Sequence, residues 1–225
     1  SQKIHHWVGL AVFFLTLGVY VKTMAPTVSF WDCGEFIATA YTMSVPHPPG
    51  APLYVLIGRV FTLFPFGEVA ARINFMSALS SALAIWCVYL TTAALGRRAL
   101  GGQSLKAFGD HRDIGVIAGA AVAALTLAFS YTQWYNASEA EVYGYSILFT
   151  CLGLWLIVYW EGTGHGQEND RWLFAIAYLF GLGGGLHMLC LLTIPSLLIL
   201  AWFSDSRLQR LIVQLLGLGL IGFVA

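Results

Sequence analysis

The sequence predicts an all-α, polytopic integral membrane protein, and three observations indicate this class. Hydrophobic residues make up 58% of the chain and charged residues only 10%, whereas soluble domains usually carry roughly 25% charged residues. The apolar residues fall in runs of about 20, the length that a helix needs to cross a bilayer. The formal net charge is zero, which argues against a nucleic-acid partner, because such a partner needs a concentrated basic surface.

The apolar runs predict about seven transmembrane helices. The first four predicted spans are residues 5–24, 73–95, 114–134 and 143–160. The run 172–203 is too long for one span, and its glycines and Pro195 divide it near His187 into two short spans. A last span begins near residue 211 and is still in progress at Ala225. We therefore expect residues 1–225 to be one transmembrane module of a larger protein whose C-terminal remainder is missing.

Residues 25–72 connect the first two predicted spans, and they predict two helices that lie along the membrane surface. The segment from Ser29 to Met43 predicts an amphipathic helix with Ser29 as its N-cap. Four prolines between residues 46 and 52 then exclude helix and predict a rigid extended turn. Residues 53–64 are apolar but too short to span, so they predict a second interfacial or re-entrant helix.

Basic residues predict the orientation of the spans. With a cytoplasmic N-terminus, eight of the Lys and Arg residues fall in inside segments, and the outside segments hold only Lys22, Arg59 and Arg72. Cytoplasmic loops carry an excess of Lys and Arg. This bias places residues 25–72, and also the segment 134–143, on the non-cytoplasmic side. The four cysteines show no metal-binding or CxxC spacing, so we expect small buried hydrophobic side chains.

Asp32 and Glu35 are the candidate catalytic residues. They are three residues apart, which places them on one face of a helix, in a chain that otherwise avoids charge. A carboxylate at a membrane surface can serve as a general base when partial burial moves its pKa toward the working pH. The alternative is that Asp32 only caps a helix and Glu35 only faces water. Two carboxylates could also hold a divalent metal, although the sequence requires no cofactor and assigns no metal ligand.

Three basic residues of the first outside segment are candidates for substrate binding. Arg59 and Arg72 could bind a phosphate, because a guanidinium matches phosphate oxygens bidentately. Extension of their side chains toward lipid headgroups is the alternative. His47, between prolines, could bond a phosphate or sugar, or simply pack on the proline rings.

Three further candidates lie in later segments. His187 sits beside a glycine-rich break, and an ionisable residue near such a break marks backbone that opens onto a cavity. A satisfied interhelical histidine is the alternative. Glu139 and Glu141 are predicted to be outside and near the membrane, where they could join the carboxylate pair across a cleft. An exposed loop is the other interpretation.

Several motifs together carry a family resemblance. These are Trp31-Asp32-Cys33-Gly34-Glu35-Phe36-Ile37, His47-Pro48-Pro49-Gly50-Ala51-Pro52-Leu53-Tyr54, Arg72-Ile73-Asn74, Ala140-Glu141-Val142-Tyr143 and Gly185-Leu186-His187. The chain resembles a bacterial member of the transmembrane protein O-mannosyltransferase (plexin-type) family, formerly a domain of unknown function. That family is similar to the GT-C superfamily of polytopic glycosyltransferases.

The resemblance implies an inverting enzyme in the bacterial inner membrane with a periplasmic active site. Such enzymes pass a sugar, here with mannose as one candidate, from a polyprenyl-phosphate carrier to a protein or glycan acceptor. The resemblance implies that Asp32 is the base and that Glu35 is its neighbour. By location only, Arg72 and His187 would contact the phosphate or the sugar.

Two hypotheses of other classes stay open from the sequence. One is a lipid or solute transporter or flippase, in which the helix breaks at His187 and at residues 46–52 line a substrate path. The other is a non-catalytic scaffold in which the paired carboxylates only cap and solvate a helix.

Overall fold

The computed structural model of the protein describes residues 2–101, 111–162 and 167–204. These residues form nine α-helices and one 3₁₀ helix, with no strand among them. In chain order the elements are α1 (Gln2–Thr23), α2 (Cys33–Thr42), α3 (Pro52–Thr62), α4 (Val69–Ala99), α5 (His111–Ala128), α6 (Tyr131–Ala137), α7 (Val142–Gly162), α8 (Gln167–Gly184), the 3₁₀ helix (Met188–Thr193) and α9 (Ile194–Ser204). The predicted all-α class is confirmed.

Within the described ranges, α1, α4 and α7 are each long and apolar enough to cross a membrane. The bent pair α5–α6 would be a fourth span. The count of seven stays a prediction. The apolar part of α8 is only Arg171–Gly184, and α9 has 11 residues. The span expected from residue 211 lies outside the described residues.

Helix α4 is the centre of the bundle, because α1, α5 and α7 all pack along it. Its contact with α7 is close. A Cβ atom on Gly144 of α7 would lie 3.0 Å from the Ser80 hydroxyl and 3.1 Å from the Ser81 hydroxyl of α4. Small residues allow membrane helices to approach in this way. The contact fixes the N-terminal end of α7, which carries part of the candidate site.

The helix predicted to begin at Ser29 begins instead at Cys33, so the prediction of Ser29 as N-cap is wrong. Trp31 has a φ of 62°, in the left-handed region, and a right-handed helix cannot run through that conformation. The Ser29 hydroxyl donates to Glu139 Oε2 at 2.5 Å rather than to the start of a helix. The second short helix is confirmed as α3.

The sequence predicts one span over residues 114–134, but the structure divides this segment into α5 and α6, whose axes differ by 67°. Ser130 lies at the break with extended backbone, φ −65° and ψ 145°. Its hydroxyl donates to the Leu127 carbonyl at 2.7 Å. A serine that bonds the backbone in this way competes with helix continuation.

Two other predictions are confirmed. The run 172–203 is interrupted near His187, since α8 ends at Gly184 and the 3₁₀ helix begins at Met188. All four cysteines are free and buried. The segment after α1 also meets the α6–α7 junction, where the Ala25 amide donates to the Ser138 carbonyl at 2.8 Å. The two segments predicted to lie outside the membrane therefore lie at the same end of the bundle.

Candidate functional site

A cleft of about 170 Å³ lies at this end of the bundle. Its walls come from the start of α2, the segment of residues 44–51 that we call the proline loop, the α6–α7 junction, and the break between α8 and the 3₁₀ helix. Four of the residues that the sequence singled out line the cleft, namely Asp32, His47, Glu141 and His187. The fold therefore brings together residues that are up to 155 positions apart (187 − 32).

One backbone hydrogen bond joins two walls of the cleft. The Leu53 amide, at the start of α3, donates to the Gly185 carbonyl at 2.9 Å. Because α3 directly follows the proline loop, this bond fixes the loop against the break that carries His187. The proline loop also contains a cis peptide bond between Pro48 and Pro49.

Asp32 occupies the N-cap position of α2, but its side chain makes no capping hydrogen bond. The residue is exposed and lines the cleft. The interpretation that Asp32 only caps the helix has no support in this geometry, because a capping carboxylate bonds the free amides of the first turn. The carboxylate is available to a molecule bound in the cleft.

Glu141 is the buried carboxyl group of the cleft, only 7% exposed. Burial, followed by the negative charges of Asp32 and Glu139, raises the pKa of Glu141 to about 7. The Cys33 thiol donates to Glu141 Oε1 at 3.8 Å. Burial raises the pKa of Cys33 to about 12, so this thiol keeps its proton. Near neutral pH Glu141 therefore exchanges between a proton donor and an anion.

Glu35 does not line the cleft. Its two oxygens bind His47, one accepting from the backbone amide and the other meeting ring Nδ1, both at 2.7 Å. The hydrogen bond to His47 lowers the pKa of Glu35, and the same bond raises the pKa of His47. Glu35 therefore holds the His47 ring in place and favours its charged form.

His187 is the N-cap of the 3₁₀ helix, and its Nδ1 accepts from the Leu189 amide at 3.2 Å. A neutral ring that accepts at Nδ1 must carry its proton on Nε2. The ring also packs against Tyr143, with the two ring centroids 5.6 Å apart. Tautomer and orientation are thus both fixed.

The other three candidates do not line the cleft. Glu139 is buried and accepts from Ser29. Arg59 donates to the Tyr41 carbonyl at 2.9 Å. Arg72 donates from Nε, Nη1 and Nη2 to the carbonyls of residues 66, 62 and 67. The structure therefore gives these two guanidinium groups backbone partners and does not place them where a phosphate in the cleft would lie.

Among the residues that the structure describes, Asp32, Glu35 and His47 could together offer ligands to a metal. One ligand atom from each lies within 4.8 Å of the others, and all three residues are exposed. The two 2.7 Å hydrogen bonds between Glu35 and His47 account for the closeness of these two residues without an ion, and Asp32 lies three positions before Glu35 in the chain.

The sequence analysis did not assign roles to two residues of the site. Cys33 was treated only as a small hydrophobic side chain, yet it supplies the thiol partner of Glu141. Tyr143 lines the cleft and orients His187. The available signal was their position in the quoted motifs, where Cys33 directly follows Asp32 and Tyr143 comes two residues after Glu141.

Comparison with known proteins gives consistent matches. Residues 32–210 match the family model described as protein O-mannosyl-transferase TMEM260 N-terminal domain. The chain is 32% identical over 174 residues to protein O-mannosyl-transferase TMEM260 of Mus musculus, covering 77% of this chain and 22% of the relative. It is 30% identical over 191 residues to protein O-mannosyl-transferase tmem260 of Dictyostelium discoideum, covering 79% and 21%.

The chain thus spans about a fifth of the length of the curated relatives that it matches. No solved structure matches it.

Proposed function

Since the chain belongs to the family of the protein O-mannosyl-transferase TMEM260 N-terminal domain, we propose that it is the membrane module of a lipid-linked-sugar glycosyltransferase. The donor is a polyprenyl-phosphate sugar, with mannose suggested by the names of the relatives. The acceptor is a protein or glycan hydroxyl. The architecture is GT-C-like, with about seven spans in the bacterial inner membrane and the cleft on the periplasmic side.

The observation that carries the proposal is the convergence of Asp32, Glu141, His47 and His187 in one cleft. Sugar transfer needs a base for the acceptor hydroxyl and polar groups for the leaving phosphate. It also needs access from lipid for the carrier's tail. The apolar residues exposed beside the cleft, such as Phe30 and Trp31, suit a membrane surface.

The proposed reaction balances as a single displacement. Asp32 takes the proton of the acceptor hydroxyl, and the oxygen's freed electron pair forms the new bond to the anomeric carbon. The bond from that carbon to the phosphate oxygen breaks, and its electron pair leaves with the polyprenyl phosphate. Because the acceptor attacks opposite the leaving group, the anomeric configuration inverts. Protonated Glu141 donates a hydrogen bond to the bound sugar.

The test is Asp32→Asn in the full-length protein, assayed for transfer from polyprenyl-phosphate mannose to an acceptor peptide. We expect a loss on the order of 10²–10⁴-fold, the usual contribution of a general base. Folding should be retained, because the Asp32 side chain makes no capping bond. Glu68→Gln is the matched control, since Glu68 is also an exposed N-cap carboxylate without a capping bond. Wild-type transfer by Asp32→Asn would remove Asp32 from the mechanism.

A further inference from the structure

We propose that the two histidines His47 and His187 bind the phosphate group of the lipid-linked donor, and that Glu35 is the positioning residue for His47. The inference rests on the proposed function and names the groups that hold the donor's anion within the same cleft. The sequence offers Arg59, Arg72, His47 and His187 as contacts for a phosphate or sugar, and the inference confines the phosphate role to the two histidines.

The first step concerns the positively charged side chains that could reach a phosphate in the cleft. No Lys or Arg is among the residues that line the cleft within the described ranges. Arg72 is engaged with backbone carbonyls on all three of its nitrogens, and Arg59 bonds the Tyr41 carbonyl. The cleft does carry carboxyl groups, so an entering phosphate requires compensating donors. Among the residues that line it, the histidines are the side chains that can carry positive charge.

The second step concerns His47. Glu35 holds this residue at two points, through the backbone amide and through ring Nδ1. With Nδ1 occupied by a carboxylate, the imidazolium has its Nε2–H free to donate elsewhere. The ring also packs near Phe36, with centroids 5.8 Å apart. The result is a donor with a fixed orientation, whose charged form is favoured because the hydrogen bond to Glu35 raises the pKa of His47.

The third step concerns His187, on another wall. Its Nδ1 is occupied by the Leu189 amide, so its Nε2 also carries a proton that it can donate. The bond between the Leu53 amide and the Gly185 carbonyl holds the two histidine-bearing segments together. Two N–H donors from different segments that line one cleft can each bind an oxygen of the same phosphate.

The charge on His47 makes a pH dependence part of the inference. Glu35 raises the pKa of His47 through their hydrogen bond, and the charges of Asp32 and Glu141 act in the same direction. The cation is present below that raised pKa and is lost as pH rises through it, so affinity for the anion falls toward alkaline pH. The titratable groups that face His47 are Glu35, Asp32, Glu141, Tyr143 and His187.

The experiment measures binding of polyprenyl-phosphate mannose to the full-length protein in nanodiscs of phosphatidylcholine. This donor is a phosphodiester whose charge is constant across the pH range. We expect His47→Gln and His187→Gln each to weaken binding about 10-fold or more, the effect of losing one hydrogen bond to a charged group. His6→Gln is the matched control, because His6 is an exposed histidine on α1 that does not line the cleft, and its affinity should equal that of the wild type.

The variant Glu35→Gln distinguishes the positioning of His47 by Glu35 from a general loss of structure in the cleft. Without the carboxylate, the pKa of His47 should fall, so the alkaline loss of donor affinity should begin at a lower pH than in the wild type. At acidic pH the two affinities should converge. An equal loss at every pH would contradict the positioning role. If His47→Gln does not fold, as judged by its unfolding temperature, Glu35→Gln tests the same contact.

The remaining outcomes distinguish a failure of this inference from a failure of the proposed glycosyltransferase function. Donor binding that is unchanged in both histidine variants, while Asp32→Asn still abolishes transfer, would overturn the inference alone. Wild-type protein that binds no polyprenyl-phosphate sugar would overturn the proposed function as well. Adding phosphatidylglycerol or inorganic phosphate tests the source of the anion. Competition by either at donor-like affinity would assign the site to headgroups or free phosphate and contradict the inference.

Discussion

The two ends of the helical bundle use their charged residues differently. At the end away from the cleft, Arg97 Nε lies 3.3 Å from Asp113 Oδ1, and Arg98 pairs with Glu161. At the cleft end, Asp32 and Glu141 line a cavity whose described walls contain no Lys or Arg. The basic residues of the first end join α4 to its neighbours α5 and α7.

The difference indicates what each set of charges is for. A carboxylate paired with an arginine between two helices contributes to the fold, and removing one partner leaves the other charge without compensation. A carboxyl group in a cleft whose described walls hold no Lys or Arg is costly to the fold and available to a ligand. We therefore expect substitutions at the first end to change stability, and substitutions at the cleft end to change activity and its pH dependence.

The largest effect that would test this comparison is on stability. Asp113 is 6% exposed, and Asp113→Asn removes the charge that faces Arg97. We expect the free energy of unfolding to fall by about 2 kcal/mol, because the largely buried Arg97 guanidinium loses its charge interaction with Asp113. Thermal unfolding in detergent, followed by tryptophan fluorescence, measures this. Transfer per folded molecule should equal that of the wild type, and an unchanged unfolding temperature would contradict the assignment.

The next effect concerns the pH dependence of Glu141. The proposed mechanism has protonated Glu141 donate to the sugar, so we expect the activity of the wild type to fall as pH rises through about 7. Glu141→Gln keeps a hydrogen-bond donor at every pH, so at pH 8.5 the variant should exceed the wild type by about 10-fold. At pH 6 the two should agree within about 3-fold. An identical alkaline decline in both proteins would exclude Glu141 as the titrating group.

Glu141→Gln is also expected to raise the stability of the protein at alkaline pH. The folded-state pKa of Glu141 is raised above its ordinary 4.5, so the folded protein binds this proton more tightly than the unfolded chain does. The destabilisation is absent below 4.5, develops as pH rises to about 7, and is complete above it. Glu141→Gln should therefore unfold at a higher temperature than the wild type at pH 8.

The smallest effect compares two glycines of α7. A Cβ on Gly144 would lie 3.0–3.2 Å from atoms of α4, whereas a Cβ on Gly153 would meet no atom closer than 3.5 Å. Gly144→Ala should cost about 1 kcal/mol by forcing α7 away from α4. Gly153→Ala should be neutral or gain up to about 1 kcal/mol through helix propensity. Unfolding midpoints measure both, and equal midpoints would show that the α4–α7 contact tolerates a methyl group.

The sequence predicts those parts of the structure that depend on composition along the chain. The apolar runs locate α1, α4 and α7 because lipid requires long uninterrupted helices. Glycines locate the break before His187. The sequence also predicts that the segments containing Asp32 and Glu141 lie on one side of the membrane, since the distribution of basic residues sets orientation.

What the sequence could not predict depends on contacts between distant segments. The engagement of Arg72 with three carbonyls follows from the shape of the turn between α3 and α4, which no periodicity reveals. The burial of Glu141 depends on distant contacts, such as that with the Cys33 thiol at the start of α2, 108 positions away. The sequence suggests Glu35 as a second catalytic carboxylate because it lies only three residues after Asp32, a relation that the sequence shows directly. Its partner His47 is 12 residues away, beyond a proline turn.

The bond from the Leu53 amide to the Gly185 carbonyl has an evolutionary consequence. The bond sets the distance between the proline loop and the break that carries His187. Because both of its atoms belong to the main chain, substitution of side chains leaves it intact. Relatives can exchange the residues on these walls and so acquire a new sugar or acceptor preference within an unchanged frame. Insertion of a single residue between positions 47 and 53 would shift His47 relative to the Leu53–Gly185 bond. We therefore expect substitutions in this segment to be tolerated far better than insertions or deletions.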